Sequence, residues 1–389
     1  VFEARGEVFT VPAEKGSARN LTKSSGAADR TPVWSPDGAH IAYFSDASGE
    51  YQLMIAGQDG LEAPRVIELP DPSFVYTPAW SPDSTKLLYT DENRTIRYVD
   101  IETGDVTEVD GDTFAHPART LDPRWSPDSR WIAYSKRLHN HFHAIMVYAL
   151  DDGTSHQLTD GMSDCTSPAW DASGKYLSFL GSTNFALNTG WLDMSSYQRP
   201  TSSAIYFAVL RADEPSPLLP ESDEEEVSTE EEEVEAETDT EDAESDEAEA
   251  DDEVEEDEDL VVIDFDGIDQ RILALPVPTG NLASLIAAGE GVLFYTSRPD
   301  GGGPATLHRY SMDDRESKEF LSRVGTFVVS SDGSKLLYQS GASWGIVGTA
   351  APATAGSGRL SLDLQAKIDP RAAWQQIFDE AWRYQRDYF

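Results

Sequence analysis

Three short stretches hold the side chains best suited to chemistry. The first, His139-Asn140-His141-Phe142-His143, places three of the seven histidines at alternate positions. On an extended segment the three imidazoles share one face, which suits a metal site, a peptide contact or hydrogen-bonded packing at a rim. No cysteine lies beside them, and a metal would need acids from elsewhere. Rim packing is the expected role, with peptide contact by His139, His141 and His143 as the functional alternative. The second stretch, Gly341-Ala342-Ser343-Trp344-Gly345, fits G-x-S-x-G, the nucleophile elbow of α/β-hydrolases. That elbow needs a strand, a sharp turn and a helix. Here Ile346-Val347-Gly348 follows and reads as a strand, and no histidine occurs after Gly345. A nucleophilic Ser343 is therefore not expected. The third, Asn188–Ser202 ("NTGWLDMSSYQRPTS"), reads as a long loop carrying Trp191, Tyr197 and Arg199. A loop of that kind is either a lid packed on its own sheet or a recognition element, with Trp191 and Arg199 as candidate peptide contacts. There is no phosphate loop, no CxxC pair and no pair of carboxylates at a fixed spacing, so no cofactor is expected.

The elements that must position these residues come from a repeat. "TPVWSPDGAHIAYFS" (Thr31–Ser45) returns as "TPAWSPDSTKLLYTD", "DPRWSPDSRWIAYSK" and "SPAWDASGKYLSFLG", with Trp34, Trp80, Trp125 and Trp170 spaced 46, 45 and 45 apart. A worn copy spans Phe327–Ser340, and Gly289–Ser297 resembles another without its tryptophan. Ser-Pro-Asp-Gly suits a type I turn, since proline presets φ at the second position. An alternating strand follows each turn. The second half of each unit adds a strand, an acidic-Gly turn and a further strand. Four short strands per period of about 45 residues is the signature of a β-propeller blade, because no unit can bury its apolar faces alone. The fold class is all-β, with blades expected near 31–69, 77–109, 122–158, 167–219, 280–320 and 325–348. Strands within Phe2–Thr22 would make a seventh, completed by the C-terminal end near Arg359–Leu364. The propeller as a whole is expected over 1–366. The tryptophans and Ser-Pro-Asp turns are read as blade packing rather than as a site.

Of 71 acidic residues, 26 fall between Glu221 and Asp259, leaving 45 against 29 Lys and Arg. The net charge of −42 is thus mostly local. The segment 221–259 cannot bury enough apolar surface to fold alone and is read as a solvated insertion within or just after the unit at 167–219. Its functional alternative is an electrostatic brush for basic peptides or divalent cations. The acidic balance disfavours nucleic acid and anionic membranes as partners. No apolar run reaches the ~18 residues of a membrane-spanning helix. Cys165 is the single cysteine, which rules out an intrachain disulfide and suits a reducing cytoplasm. The chain opens on Val1 rather than Met, so a processed or excised N-terminus is expected.

The tail changes character. In Asp369–Phe389 the residues Trp374, Ile377, Phe378, Ala381, Trp382, Tyr388 and Phe389 recur at helical spacing, with Asp369 as cap and Pro370 in the first turn. A propeller rim offers such an aromatic face little to cover, so residues 367–389 are expected to open a further domain downstream. Together with this tail, "FEARGEVFTVPAEKG", "YSKRLHNHFHAIMVY", "STNFALNTGWLDMSSYQRP" and "IDFDGIDQRILALPVP" resemble tricorn protease and its homologues. The resemblance covers the chain except the acidic insert, and matches the second, seven-bladed propeller followed by the start of the catalytic core.

That resemblance implies a domain of a hexameric serine endopeptidase that degrades oligopeptides. The propeller would gate substrate entry, and the catalytic Ser, His and Glu would sit outside this chain. No catalytic residue is carried over. The competing readings are a non-enzymatic protein-binding propeller of the TolB type and the propeller of a prolyl-oligopeptidase-like enzyme. The aromatic tail argues against the first, and the tail's lack of strand–helix alternation argues against the second.

Overall fold

The computed structural model describes residues 1–114, 120–185, 201–219, 260–300 and 302–388. Seven antiparallel sheets follow one another along the chain as the blades of a propeller, and a single α-helix, Pro370–Tyr388, ends it. The second blade shows the common plan: strands Asp29–Trp34, His40–Ser45, Gln52–Gly57 and Arg65–Ile67 pair in sequence order. The third to sixth blades repeat it with four strands each. From the first blade to the sixth, first strands of successive blades lie beside one another and so line the axis.

The cores form between blades, not inside them. Ala42, Phe44, Leu53 and Ile55 of the second blade meet Trp80, Leu87, Tyr89 and Val99 of the third. Ala133, Ile145 and Val147 of the fourth meet Cys165, Trp170, Leu177 and Phe179 of the fifth. Each such buried aliphatic side chain contributes roughly 1.5–3 kcal/mol, which is why single units cannot stand alone. The marker tryptophans tie the layers together. Trp80 Nε1 donates to Val33 O at 3.3 Å, Trp125 Nε1 to Ala79 O at 3.1 Å and Trp170 Nε1 to Arg124 O at 3.2 Å. Each therefore bonds the inner strand of the preceding blade. Trp34, the marker of the second blade, stays 37% exposed.

The inner strands carry a second regularity. Thr31, Thr77, Asp122 and Ser167, each followed by proline, take left-handed φ of 50°, 50°, 39° and 56°. Pairing slips at Arg30/Val33, Tyr76/Ala79 and Thr166/Ala169. A bulge with a proline leaves the edge that faces the axis poor in free N–H donors, which blunts edge pairing.

Ring closure differs from the sequence expectation. Phe2–Ala4, Glu7–Thr10 and Arg19–Asn20 do form the first blade, but with three strands. The segment at Arg359 does not complete it. Arg359 bridges Gly345, Ile346 N donates to Gly358 O at 2.9 Å, and Leu360 N donates to Trp344 O at 2.9 Å. The stretch thus edges the seventh blade (Thr326–Val329, Lys335–Ser340, Ser343–Gly348). Gly358 makes that possible: at φ +60 its missing Cβ would sit 1.7 Å from Ile346 O. First and seventh blades meet through side chains, with Phe2 edge-on to Trp344 at 5.2 Å.

Antiparallel alternation sorts the connections onto two rims. Ser-Pro-Asp turns, which join first to second strands, share one rim with the third-to-fourth connections. Second-to-third turns share the other. The acidic stretch falls between Ala204–Val209 and Ile272–Ala274, the third and fourth strands of the fifth blade. Its described flank lies at the Ser-Pro-Asp rim, where Val261 N donates to Asp128 Oδ2 at 2.9 Å. The histidine turn lies on the opposite rim.

Candidate functional site

The rim of the second-to-third turns gathers the histidines, a cavity and the terminal helix. Strands Trp131–Arg137 and His143–Ala149 of the fourth blade are joined by a turn closed by Leu138 N to Phe142 O at 2.8 Å. His141 takes a left-handed φ of 67°, so the segment is not extended and the alternate histidines do not share a face. This corrects the expectation of a common face. His139 and His141 pack on Phe114, with centroids at 5.8 and 4.7 Å. His143 turns inward to 3% exposure, where its Nδ1 lies 2.7 Å from Asp164 Oδ1 and its backbone N donates to the same oxygen at 2.9 Å. Among the described residues no three His, Cys, Asp or Glu side chains converge as metal ligands. Trp191 and Arg199 lie outside the described residues. Ser343 opens the last strand of the seventh blade, pairs with Ser340 and precedes no helix.

Beside the histidine turn, Asn140 Nδ2 donates to Gly161 O at 2.9 Å, tying it to the link between fourth and fifth blades. That link borders a cavity of about 220 Å3 lined by Thr159, Ser163, Cys165, Phe179, Tyr206 and Ile272, together with Asp160 and Asp269. The Cys165 thiol is buried at 3.4 Å from Ser163 Oγ, and burial pushes its pKa up. It is therefore a poor nucleophile.

The helix occupies the same rim over the second blade. Asp369 caps it by accepting from Arg371 N at 2.9 Å. Its polar face goes down. Arg383 pairs with buried Asp46 and donates to Gly49 O at 2.6 Å. Glu380 accepts from Arg30 at 2.6 Å and from the Tyr51 hydroxyl at 2.9 Å. Burial first, and the nearby carboxylates after it, push the Tyr51 phenol far above its ordinary value, so it stays a donor. Arg386 chelates Glu50 at 2.6 and 3.1 Å, and the Tyr384 ring lies tilted against Phe74 at 4.4 Å. The rim thus covers the helix after all, but on the charged side. Trp374 and Phe378 remain 69% and 67% exposed, with Ile377 and Trp382 beside them. Sequence periodicity gave the apolar stripe. It missed Asp46, Glu50 and Arg30 as partners, because they stand some 330 residues away.

Seven inter-packed blades with a polar-docked terminal helix define a β-propeller. The chain belongs to the tricorn protease second beta propeller domain family, whose profile matches residues 1–349. It is 26% identical over 413 aligned residues to Tricorn protease homolog 1 of Streptomyces coelicolor, covering 99% of this chain and 36% of that protein. It is 23% identical to a tricorn protease homolog of Saccharolobus solfataricus, covering 98% of this chain and 33% of the relative. The crystal structure of the tricorn protease superposes with a TM-score of 0.73 at 17% identity, over 99% of this chain and 35% of that one. The chain spans about a third of the length of the curated relatives it matches. No helix among the described residues is long and apolar enough to cross a membrane.

Proposed function

We propose that this chain is the propeller that admits oligopeptides to the catalytic part of a tricorn-like serine endopeptidase and supports that part, with the Ser, His and Glu catalytic groups outside this chain. The observation that carries the reading is the terminal helix. It is fixed by an ionic network on one rim while Trp374, Ile377, Phe378 and Trp382 face outward, an aromatic stripe that wants a neighbouring domain. A free-standing binding propeller would leave that stripe in water. The mechanism is steric: first strands ring an axis, their bulged and proline-bearing edges offer a passing chain few donors, and unfolded peptides thread where folded proteins do not fit. Assembly into a homohexamer and a cytoplasmic location belong to the same proposal. The buried free thiol of Cys165 suits a reducing compartment.

The test is peptidase activity on fluorogenic peptides, for this chain beside a longer product of the same gene. The expected result is an inert chain and an active longer product that a serine-directed reagent blocks. Cleavage by this chain alone would overturn the reading and reopen Ser343.

A further inference from the structure

Arg137 is the anomaly of the histidine rim. It ends the second strand of the fourth blade with 8% of its surface exposed, and its Nε is sealed from solvent without a hydrogen-bond partner. Its backbone N–H donates to Asp112 Oδ1 at 3.2 Å. Among the described residues its guanidinium has no ion pair and no hydrogen bond. Buried arginines are as a rule paired, because desolvating an unpaired charge is costly. Directly opposite Arg137 in the ladder stands His143, so the two side chains share a face. That face carries Ala133, Ile145 and Val147 and packs on the fifth blade, a low-dielectric setting that strengthens any charge contact.

His143 adds a second orphan. Its Nδ1 lies against the Asp164 carboxylate, which only accepts, so Nδ1 carries the proton and Nε2 is the free position. Nε2 is buried and, among the described residues, has no partner. Thr120, on the segment leading into the same blade, also holds a buried hydroxyl without a partner. A buried planar fork of donors matches a carboxylate better than a cation or an apolar group.

We propose that Arg137 and His143 form an inter-blade carboxylate site opening on this rim, filled by the C-terminal carboxylate of a peptide or by one of its acidic side chains. The site depends on the peptide-gating reading only for the source of its carboxylate, and a binding assay reads out whatever the peptidase assay gives. The probes are N-acetyl-dialanine as free acid, the same compound as its amide, and N-acetyl-glutamate α-amide, each titrated calorimetrically into this chain. The free acid or the glutamate amide should bind, and which of them does so identifies the source. The dialanine amide should not bind. Arg137→Gln should weaken binding by about tenfold or more, as expected for loss of a charge-assisted bidentate contact.

Folding is monitored with Arg137→Met, which keeps length and removes charge. It should melt at or above the wild type in carboxylate-free buffer, and sodium formate should raise the midpoint of the wild type but not of this variant. Equal binding of dialanine acid and amide, no binding of any probe, or an Arg137→Met variant that melts well below the wild type would each overturn the site.

Discussion

Each Ser-Pro-Asp turn is closed by side chains as well as by its backbone. The worn copy, where serine replaces the proline as Ser330-Ser331-Asp332, keeps the closure: Ser330 donates to Asp332, which also accepts from Ser334 N at 3.1 Å and Ser334 Oγ at 2.6 Å. These bonds, that from Ser330 foremost, hold the Asp332 pKa down to about 2, and the Ser35 bond lowers Asp37 in the same way. A carboxylate depressed below its ordinary value near 3.9 stabilises the fold fully above that value. The contribution is lost as pH falls through the folded value. Ser330→Ala should therefore raise the Asp332 pKa toward the ordinary range and flatten the stability profile between about pH 4 and pH 2. Carbon-detected NMR titration reads the first effect and denaturant melts across that window the second. An unshifted Asp332 would show that the Ser334 bonds alone suffice.

Trp80→Phe tests the layer bond: losing the donor to Val33 O and part of the ring should cost about 1–3 kcal/mol, read by chemical denaturation. These features were legible because turn residues and a period of 45 are local marks. The fate of the histidines was not. Alternation predicts a shared face only for extended backbone, and nothing in the five residues announces the left-handed His141.

At the scale of elements, the helix is the informative case. Its apolar stripe was visible in the sequence, but the side that docks was not, since ion pairs to Asp46, Glu50 and Arg30 join residues with no local signature. Arg383 and Asp46 are both almost fully buried, so removing one partner strands the other. Breaking such a pair costs about 3–5 kcal/mol. The helix is the movable party, because the second blade is held by both its neighbours. Arg383→Met should therefore release the helix and leave the blades folded. Limited proteolysis within residues 369–388 should accelerate at least about tenfold while the propeller midpoint stays nearly constant. A matching drop in the propeller midpoint would mean that the helix is integral to the ring. The exposed stripe behaves oppositely: Phe378→Ser should change the stability of this chain by under about 0.5 kcal/mol, as for an exposed substitution. In a longer product containing the neighbouring domain, the same change should lower the melting midpoint. An equal response in both contexts would sink the idea that another domain covers the stripe.

At the scale of the molecule, closure decides how a ring of weakly interdependent units behaves. Among the described residues no strand passes between first and seventh blades, and the stretch expected to serve that purpose edges the seventh blade instead. Opening the ring at that seam therefore breaks side-chain packing, with Phe2 against Trp344 at its centre, and no strand ladder. From the second blade to the fifth, neighbouring blades share an apolar layer, and a tryptophan of each later blade bonds the inner strand of the one before. The seam is then the junction expected to open first.

Phe2→Ala should cost about 1–3 kcal/mol, less than a fully buried phenylalanine because Phe2 is only partly covered. Its effect should also be local. Hydrogen exchange should speed up in Glu7–Thr10 and Ser343–Gly348, the strands flanking the seam, and stay unchanged in the third to fifth blades. Uniform acceleration around the ring would mean that the blades open as one cooperative unit and that the seam has no independent motion. Exchange confined to the seam would make it the place where the ring can yield without unfolding.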